Sequence, residues 1–265
     1  MYRGMNMKQT VDDIKNRLKE ADREQYDVLF RTLQDDPRKG VQTALKQAAA
    51  RLDARDAEAE RIASLYSFQA EIAQGRVLVG LDEVGRGPLA GPLTIGAVVL
   101  PDNPQIQGLN DSKQLTPAAR EALVPQIKEL AVAYSIQHIW PAEIDELGMS
   151  AALRLGFSRA VADIEFQGIR PDVVLLDGNP LHFDPREVNV VKGDARCASI
   201  SAASIIAKVE RDNMMVAYDA EYPGYGFASS KGYGSAAHIE AIKERGVTPI
   251  HRISFCGNFL QESLF

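Results

Sequence analysis

The apolar positions of residues 10 to about 72 recur at helical rather than strand spacing. Ile14 and Leu18 lie one turn apart, and Val41, Leu45 and Leu52 continue the same interval. Thr10-Val11-Asp12-Asp13 has the form of a capping box, in which a hydroxyl and a carboxyl three residues apart satisfy each other's main-chain N–H groups. A helix is therefore predicted to begin there and the whole stretch to be helical. Asp36-Pro37-Arg38-Lys39-Gly40 predicts a turn between helices, and Ala48-Ala49-Ala50 favours helix by propensity. No chemical motif falls in this stretch. It reads as a small N-terminal helical accessory module over residues 1–75.

From Arg76 the pattern changes to short apolar runs alternating with helical periodicity. Residues 77–81, 94–100, 132–139, 173–176 and 188–191 predict strands. Residues 117–130 predict a helix with Thr116 as its cap and Pro117 in its first turn, and Pro125 predicts a kink within it. Residues 142–164 predict a helix that Gly148 breaks, and residues 195–218 a long helix. Strands alternating with helices imply an α/β domain, a mixed central sheet flanked by helices, over residues 76–259. Residues 260–265 read as an exposed tail.

Composition narrows the class. With 45% hydrophobic and 25% charged residues the chain is an ordinary globular mixture, which excludes wholesale disorder and a fibrous repeat. No run approaches the roughly 18 apolar residues of a membrane span. The first ten residues hold Arg3 and Lys8 without an apolar core behind them, so no secretory signal is expected. The two cysteines, Cys197 and Cys256, have no paired spacing. That excludes a disulfide scaffold and a cysteine-based zinc site, and it suits a reducing cytoplasm.

The net charge of −6 counts against a nonspecific nucleic-acid binder, which is usually basic. Residues 1–75 carry 13 basic and 13 acidic residues, so the whole excess lies in residues 76–265, with 17 and 23. Acids gathered to hold divalent metal ions would produce that excess in a protein that still binds phosphate. A solvated acidic surface would produce it too.

The candidate chemistry lies at strand ends. Asp82-Glu83-Val84-Gly85-Arg86-Gly87-Pro88 follows the first strand, and two adjacent carboxylates beside a core are costly unless compensated. The glycines lack the helix that should follow a dinucleotide-binding turn, which removes that reading. Asp177 follows another strand and precedes Gly178, as in a common Asp-Gly turn. Asp194, in Lys192-Gly193-Asp194, stands where a helix begins and would serve equally as an N-cap. Positions of this kind gather on one edge of an α/β sheet and can converge on a ligand. Hard divalent cations take oxygen ligands, and two of them about 4 Å apart can activate water and stabilise the leaving oxygen of a phosphodiester. Consecutive strand residues point to opposite faces, so Asp82 and Glu83 are expected to share a site only if the strand ends or bulges there. The four histidines show no close metal-ligand pairing in sequence. His238 is expected on a helix surface and His251 in a hydrogen-bonded loop.

These blocks resemble bacterial ribonuclease HII, the type 2 ribonuclease H family. The resemblance rests on Gly80 to Pro88, Asp111-Ser112-Lys113, Asp177-Gly178, Lys192-Gly193-Asp194, Ser201 to Asp212, Lys231-Gly232-Tyr233-Gly234 and His251-Arg252, in order from about Val77 to Phe259. Glu210 departs from the pattern, which has a small or hydroxylated residue there. The resemblance implies an RNase H-like fold and a metal-dependent endonuclease using two Mg2+ or Mn2+ ions. Its four acids are Asp82, Glu83, Asp177 and Asp194. It implies that Gly85, Arg86 and Gly87 read a ribose 2′-hydroxyl through the backbone and that Tyr233 sits beside the RNA–DNA junction. Glycines allow that close approach, and the 2′-hydroxyl separates RNA from DNA.

The implied substrates are RNA–DNA hybrids and duplex DNA with embedded ribonucleotides. Cleavage falls 5′ of the ribonucleotide and leaves a 3′-hydroxyl and a 5′-phosphate, by a monomeric cytoplasmic enzyme. Lys192, Arg196, Lys208, Arg211, Lys231 and Arg252 are the expected phosphate contacts, a basic rim around an acidic centre. A resolvase of the same fold, or a hybrid-binding protein without activity, are the alternatives, and the four acids argue against the second. Finally, Gln261, Leu264 and Phe265 form a Gln-x-x-Leu-Phe pattern that resembles the peptide with which bacterial repair proteins dock on the DNA sliding clamp. The same residues could equally fold back on their own domain.

Overall fold

The capping box at Thr10 forms: Thr10 Oγ1 accepts from Asp13 N at 3.1 Å and Asp13 Oδ2 accepts from Thr10 N at 3.2 Å, opening helix α1 (Val11–Glu20). The stretch is not helical throughout. Ala21 is extended, and a second capping box between Asp22 and Gln25 starts α2 (Arg23–Leu33). Arg38 closes on Asp36 at 2.6 Å in the predicted turn, and α3 follows (Lys39–Ala73). Ile14, Leu18, Val41, Leu45 and Leu52, the residues that set the helical periodicity, form the buried core here.

The structure, a computed structural model, describes residues 9–260. Gln261, Leu264 and Phe265, the expected clamp-binding residues, lie outside the described residues. The chain divides inside α3 into two compact units, Met1–Arg61 and Ile62–Phe265.

The second unit holds a five-stranded mixed sheet in the order β3-β2-β1-β4-β5. Its strands are β1 (Leu78–Val84), β2 (Leu93–Val99), β3 (Ala133–Ile139), β4 (Val173–Asp177) and β5 (Glu187–Val190). β1 pairs antiparallel with β2, and β2 with β3, whereas β4 runs parallel to both β1 and β5. Helix α4 (Pro117–Leu130) has the predicted Thr116 cap. It runs through Pro125, which is exposed while Leu123 and Ile127 beside it are buried. Gly148, at φ 74°, separates α5 (Pro141–Leu147) from α6 (Met149–Phe166) as its sequence predicts.

Alternate strand residues feed two cores. Val79, Leu81, Ile95, Ala97, Val174 and Leu176 pack against α6 through Phe157, Ala160 and Val161. The opposite face takes α7 (Ala198–Glu221), preceded by a 3-10 turn, Gly193–Ala195. In that layer Val98 and Leu100 meet Ala202, Ile205 and Ile206 of α7, with Ile62, Leu65 and Tyr66 from the end of α3. Gln69 on α3 accepts from Ser199 N at 2.9 Å, satisfying one of the open N–H groups at the start of α7. The fold is completed by α8 (Phe227–Ser230), α9 (Ala236–Arg245) and α10 (Ile253–Leu260), of which only α9, which carries His238, was expected as a helix. Among the described residues no helix is long and apolar enough to cross a membrane.

Candidate active site

α7 lies unusually close to the sheet because two strand positions opposite it are glycine. A Cβ on Gly80 would sit 2.5 Å from Ile200 N, and one on Gly96 would sit 2.3 Å from Ala203 O. Asp82 faces Gly96 across the β1–β2 ladder and lies two residues beyond Gly80, on the same face. One helical turn along α7 from Ile200 stands Ser204, whose hydroxyl works to lower the Asp82 carboxyl. Ser204 Oγ in turn meets Ser112 Oγ at 2.8 Å, with both residues buried. Asp82 Oδ1 also accepts from Glu83 N at 2.8 Å.

The strand neither ends nor bulges at Asp82 and Glu83, contrary to what their sharing a site was expected to require. β1 stays in regular register with β2 through Val84. Its parallel pairing with β4 stops instead at Leu81↔Leu176, so the next residues along, Asp82 and Asp177, are neighbours at the sheet's edge. Asp177 Oδ1 accepts from Gly193 N at 2.6 Å, which places the Asp194 turn against the end of β4. Asp194 is buried, and its Oδ2 lies 3.4 Å from Lys113 Nζ. Glu83 Oε1 lies 3.2 Å from Arg86 Nη1.

The electrostatics follow from that crowding. Burial pushes the Asp82 carboxyl well above the usual carboxylate range, and the charges of Glu83 and Asp177 push the same way against the hydrogen bonds from Ser204 and Glu83 N–H. Glu83 is raised by burial, opposed chiefly by Arg86. Asp194 is raised by burial and then by Asp177 and Asp111, opposed by Lys113. Acids raised in this way are short of positive charge, and all the donors are hard oxygens. That combination fits magnesium or manganese. Among the described residues no three His, Cys, Asp or Glu side chains close into a metal cage. An open carboxylate set that leaves positions for water and phosphate is the form such ions take in phosphoryl-transfer sites.

Beside the acids, the backbone at Gly85 has φ 92° and runs against Arg211: a Cβ there would lie 2.3 Å from Arg211 Nε. Arg86 and Gly87 are exposed. A Cβ on Gly87 would lie 3.8 Å from Tyr233 Cε1, so the Gly-Arg-Gly loop and Tyr233, 46% exposed, are adjacent.

Most of the expected phosphate contacts are otherwise engaged. Arg211 and Arg252 are fully buried and donate to main-chain carbonyls. Arg196 stacks on Phe68 at 4.3 Å, Lys208 pairs with Asp212 at 2.7 Å, and Lys231 Nζ donates to Ala228 O at 2.7 Å. Lys192 is exposed in the left-handed region, φ 57°, next to Gly193 and Asp194. His238 is on a helix, α9, but is buried rather than on its surface, because its ring pairs with His251. Glu210, the departure from the family pattern, is partly buried on α7 and faces His138 electrostatically. Sequence reasoning assigned no role to Ser204, Ser112 or Lys113. Their only signal was membership of matching blocks, since Lys113 and Asp194 stand 81 residues apart.

Comparison with known proteins agrees with this architecture. The family described as Ribonuclease HII matches residues 79–258, and the Ribonuclease HII N-terminal domain matches residues 10–73. A Ribonuclease HII of Levilactobacillus brevis is 44% identical over 225 residues, covering 84% of this chain and 86% of its own. A Ribonuclease HII of Listeria monocytogenes is 38% identical over 251 residues, covering 94% of this chain and 95% of its own. The crystal structure of ribonuclease H2 from Pyrococcus horikoshii superposes with a TM-score of 0.59 at 30% identity, covering 70% of this chain and 98% of that one.

Proposed function

Because the chain belongs to the ribonuclease HII family and is a ribonuclease H, we propose that it hydrolyses the RNA strand of RNA–DNA hybrids and cuts 5′ of ribonucleotides embedded in duplex DNA. The observation that carries this reading is the juxtaposition of two features: a crowded, raised set of carboxylates, and a glycine loop lying against an exposed tyrosine. The first is suited to a metal-bound phosphodiester and the second to the sugar beside it.

Asp82, Glu83, Asp177 and Asp194 would hold two Mg2+ or Mn2+ ions. When bound, such ions supply a water made nucleophilic at neutral pH and charge stabilisation for the leaving 3′-oxygen. The chain's own part is to orient these acids. The Glu83 N–H holds Asp82, and Gly193 N–H holds Asp177. At the exposed Gly87 no side chain stands between the main chain and a ribose, so N–H and C=O groups can reach a 2′-hydroxyl. Tyr233 offers a ring for the adjoining sugar–base step. Lys192 and Arg86, both exposed beside the acids, supply positive charge toward phosphate. Hydrolysis leaves a 3′-hydroxyl and a 5′-phosphate and forms no covalent bond to the protein. The two cysteines are buried free thiols, in keeping with a reducing compartment.

The deciding experiment uses a duplex with one embedded ribonucleotide, an all-DNA branched junction and an RNA–DNA hybrid, each with and without magnesium or manganese. Metal-dependent cleavage beside the ribose, with a 5′-phosphate on the downstream product, is expected. Cutting of the junction would indicate a resolvase, and binding without cleavage would overturn the assignment of the acids.

A further inference from the structure

Two fully buried arginines and two buried histidines, none of them exposed to a bound duplex, converge on the loop and the tyrosine assigned to substrate. Arg252 donates from Nη2 to Gly85 O at 2.6 Å, from Nη1 to Arg86 O at 3.0 Å, and from Nε and Nη2 to Gly91 O at 3.0 and 2.8 Å. Arg211 donates to Pro92 O, Lys231 O and Ala90 O at 2.9, 2.9 and 3.1 Å. The two guanidinium groups thus bind carbonyls at both ends of the loop and, through Lys231, the segment that leads to Tyr233. Burial pulls Arg252 down to about 9, which leaves it charged and able to donate at neutral pH.

The histidines act on the other side of Tyr233. Thr248 N can only donate, so His251 Nδ1, 2.9 Å away, accepts. Tyr233 O can only accept, so His238 Nδ1, 2.8 Å away, donates. The remaining contact, His251 Nε2 to His238 Nε2 at 3.1 Å, then has one proton, carried by His251. Both rings are neutral and every polar atom is used, in one direction, from Thr248 N–H to the Tyr233 carbonyl. His251 and Arg252 are consecutive, and the Ala90↔His251 bridge and the Arg252 N to Leu89 O bond at 2.8 Å dock them on the loop. One dipeptide therefore holds the loop through Arg252 and the tyrosine through His251 and His238.

We propose that Arg252, His251 and His238 are positioning residues for substrate selection: they set the spacing between the Gly85–Gly87 backbone and Tyr233, and so the preference for a ribose over a deoxyribose at that point. This rests on the reading that loop and tyrosine meet the sugar. Hydrogen-bond readout of a single hydroxyl depends on placement within fractions of an ångström, and a misplacement of about 1 Å can cost on the order of a hundredfold.

The test measures, in magnesium chloride, the KM for a duplex with one ribonucleotide and the inhibition constant of the all-DNA duplex of the same sequence. Magnesium affinity by calorimetry and the melting temperature are followed alongside. Arg252→Lys keeps the charge and loses the fork, and it should raise KM about tenfold, leaving the all-DNA inhibition constant and magnesium affinity unchanged. His238→Ala should move KM in the same direction. His238→Asn, which keeps a donor at the Nδ1 position, should restore it. A lowered melting temperature with an unchanged ratio of the two constants, or His238→Asn as impaired as His238→Ala, would overturn the proposal. Should Arg252→Lys fail to fold, the His238 pair decides. If the unmodified protein shows no difference between the two constants, the ribose-reading function itself fails, which is visible before any variant is made.

Discussion

Gly193 donates its main-chain N–H to Asp177 Oδ1 at 2.6 Å, joining the end of β4 to the turn that carries Asp194. Gly193 is tightly packed there: a Cβ at position 193 would lie 2.6 Å from Ile200 Cδ1, the tip of a side chain, and 3.3 Å from the same carboxylate oxygen. Two of the four acids are thus placed by one bond that a carboxamide oxygen could also accept.

Asp177→Asn should for that reason keep its local geometry while losing its charge, and Asp82→Asn should likewise still accept from Glu83 N–H. Each is expected to lower cleavage by about a hundredfold or more, the scale of removing one transition-state charge stabiliser. The melting temperature without metal should hold or rise, because the charges of Glu83 and Asp177 add to burial in raising Asp82. Near-normal cleavage by either variant would refute the assignment of the acids.

Gly96→Ala tests the close approach of α7. Its Cβ would meet the Ala203 carbonyl, which is main chain and cannot swing aside, so a loss of roughly 1–3 kcal/mol or more is expected in urea unfolding. Cleavage should fall with it as α7 withdraws from the strands on which Asp82 sits. Gly257→Ala, inside α10 with nothing within 4 Å of the new atom, serves as the control and should be neutral or stabilising.

Tyr233→Ala should weaken turnover of a single embedded ribonucleotide and leave metal affinity intact, since the ring is 46% exposed while its main chain carries the structural bonds. Calorimetric titration with manganese beside steady-state kinetics distinguishes this from collapse, in which both would fall together.

Acid should destabilise the histidine pair. Burial and the neighbouring His238 hold His251 down at about 4, below its ordinary 6.5, so the unfolded chain takes up the proton first as pH falls. The stability that the neutral pair provides is complete above about 6.5 and is lost progressively toward 4, up to about 3 kcal/mol. The raised acids Asp82, Glu83 and Asp194 act in the opposite sense, gaining stability on protonation. The comparison is therefore between the native protein and His251→Gln. A melting curve for the variant that depends on pH between 7 and 5 as steeply as the native one would contradict the argument.

Removal of residues 261–265 tests the clamp-docking pattern of Gln261, Leu264 and Phe265. The expected result is lost binding to the bacterial sliding clamp in surface plasmon resonance, with unchanged cleavage of short duplexes and an unchanged melting temperature. A fall in melting temperature would instead mean that these residues pack on their own domain.

What the sequence determined alone is what depends on near neighbours. The Thr10 and Thr116 caps, the Gly148 break and the apolar strand cores are decided within a few residues by hydrogen bonding and periodicity, and they appear where they were expected. Even here a local signal was missed, the Asp22–Gln25 capping box that divides α1 from α2. The four proposed acids were singled out because charge beside an apolar strand is costly, as at Asp82, Glu83 and Asp177, and because their blocks match a family.

Tertiary structure decided the rest. Arg211 and Arg252 look like phosphate ligands in sequence, yet all but one of the carbonyls they bond, that of Lys231, lie 119 to 167 residues away. His238 looks like a surface histidine until His251 is folded onto it. Asp82 and Glu83 come beside Asp177 because β1 outruns its pairing with β4, not because the strand breaks. Where a long polar side chain ends is set by which distant carbonyls the fold leaves without partners, and no local pattern along the chain carries that information.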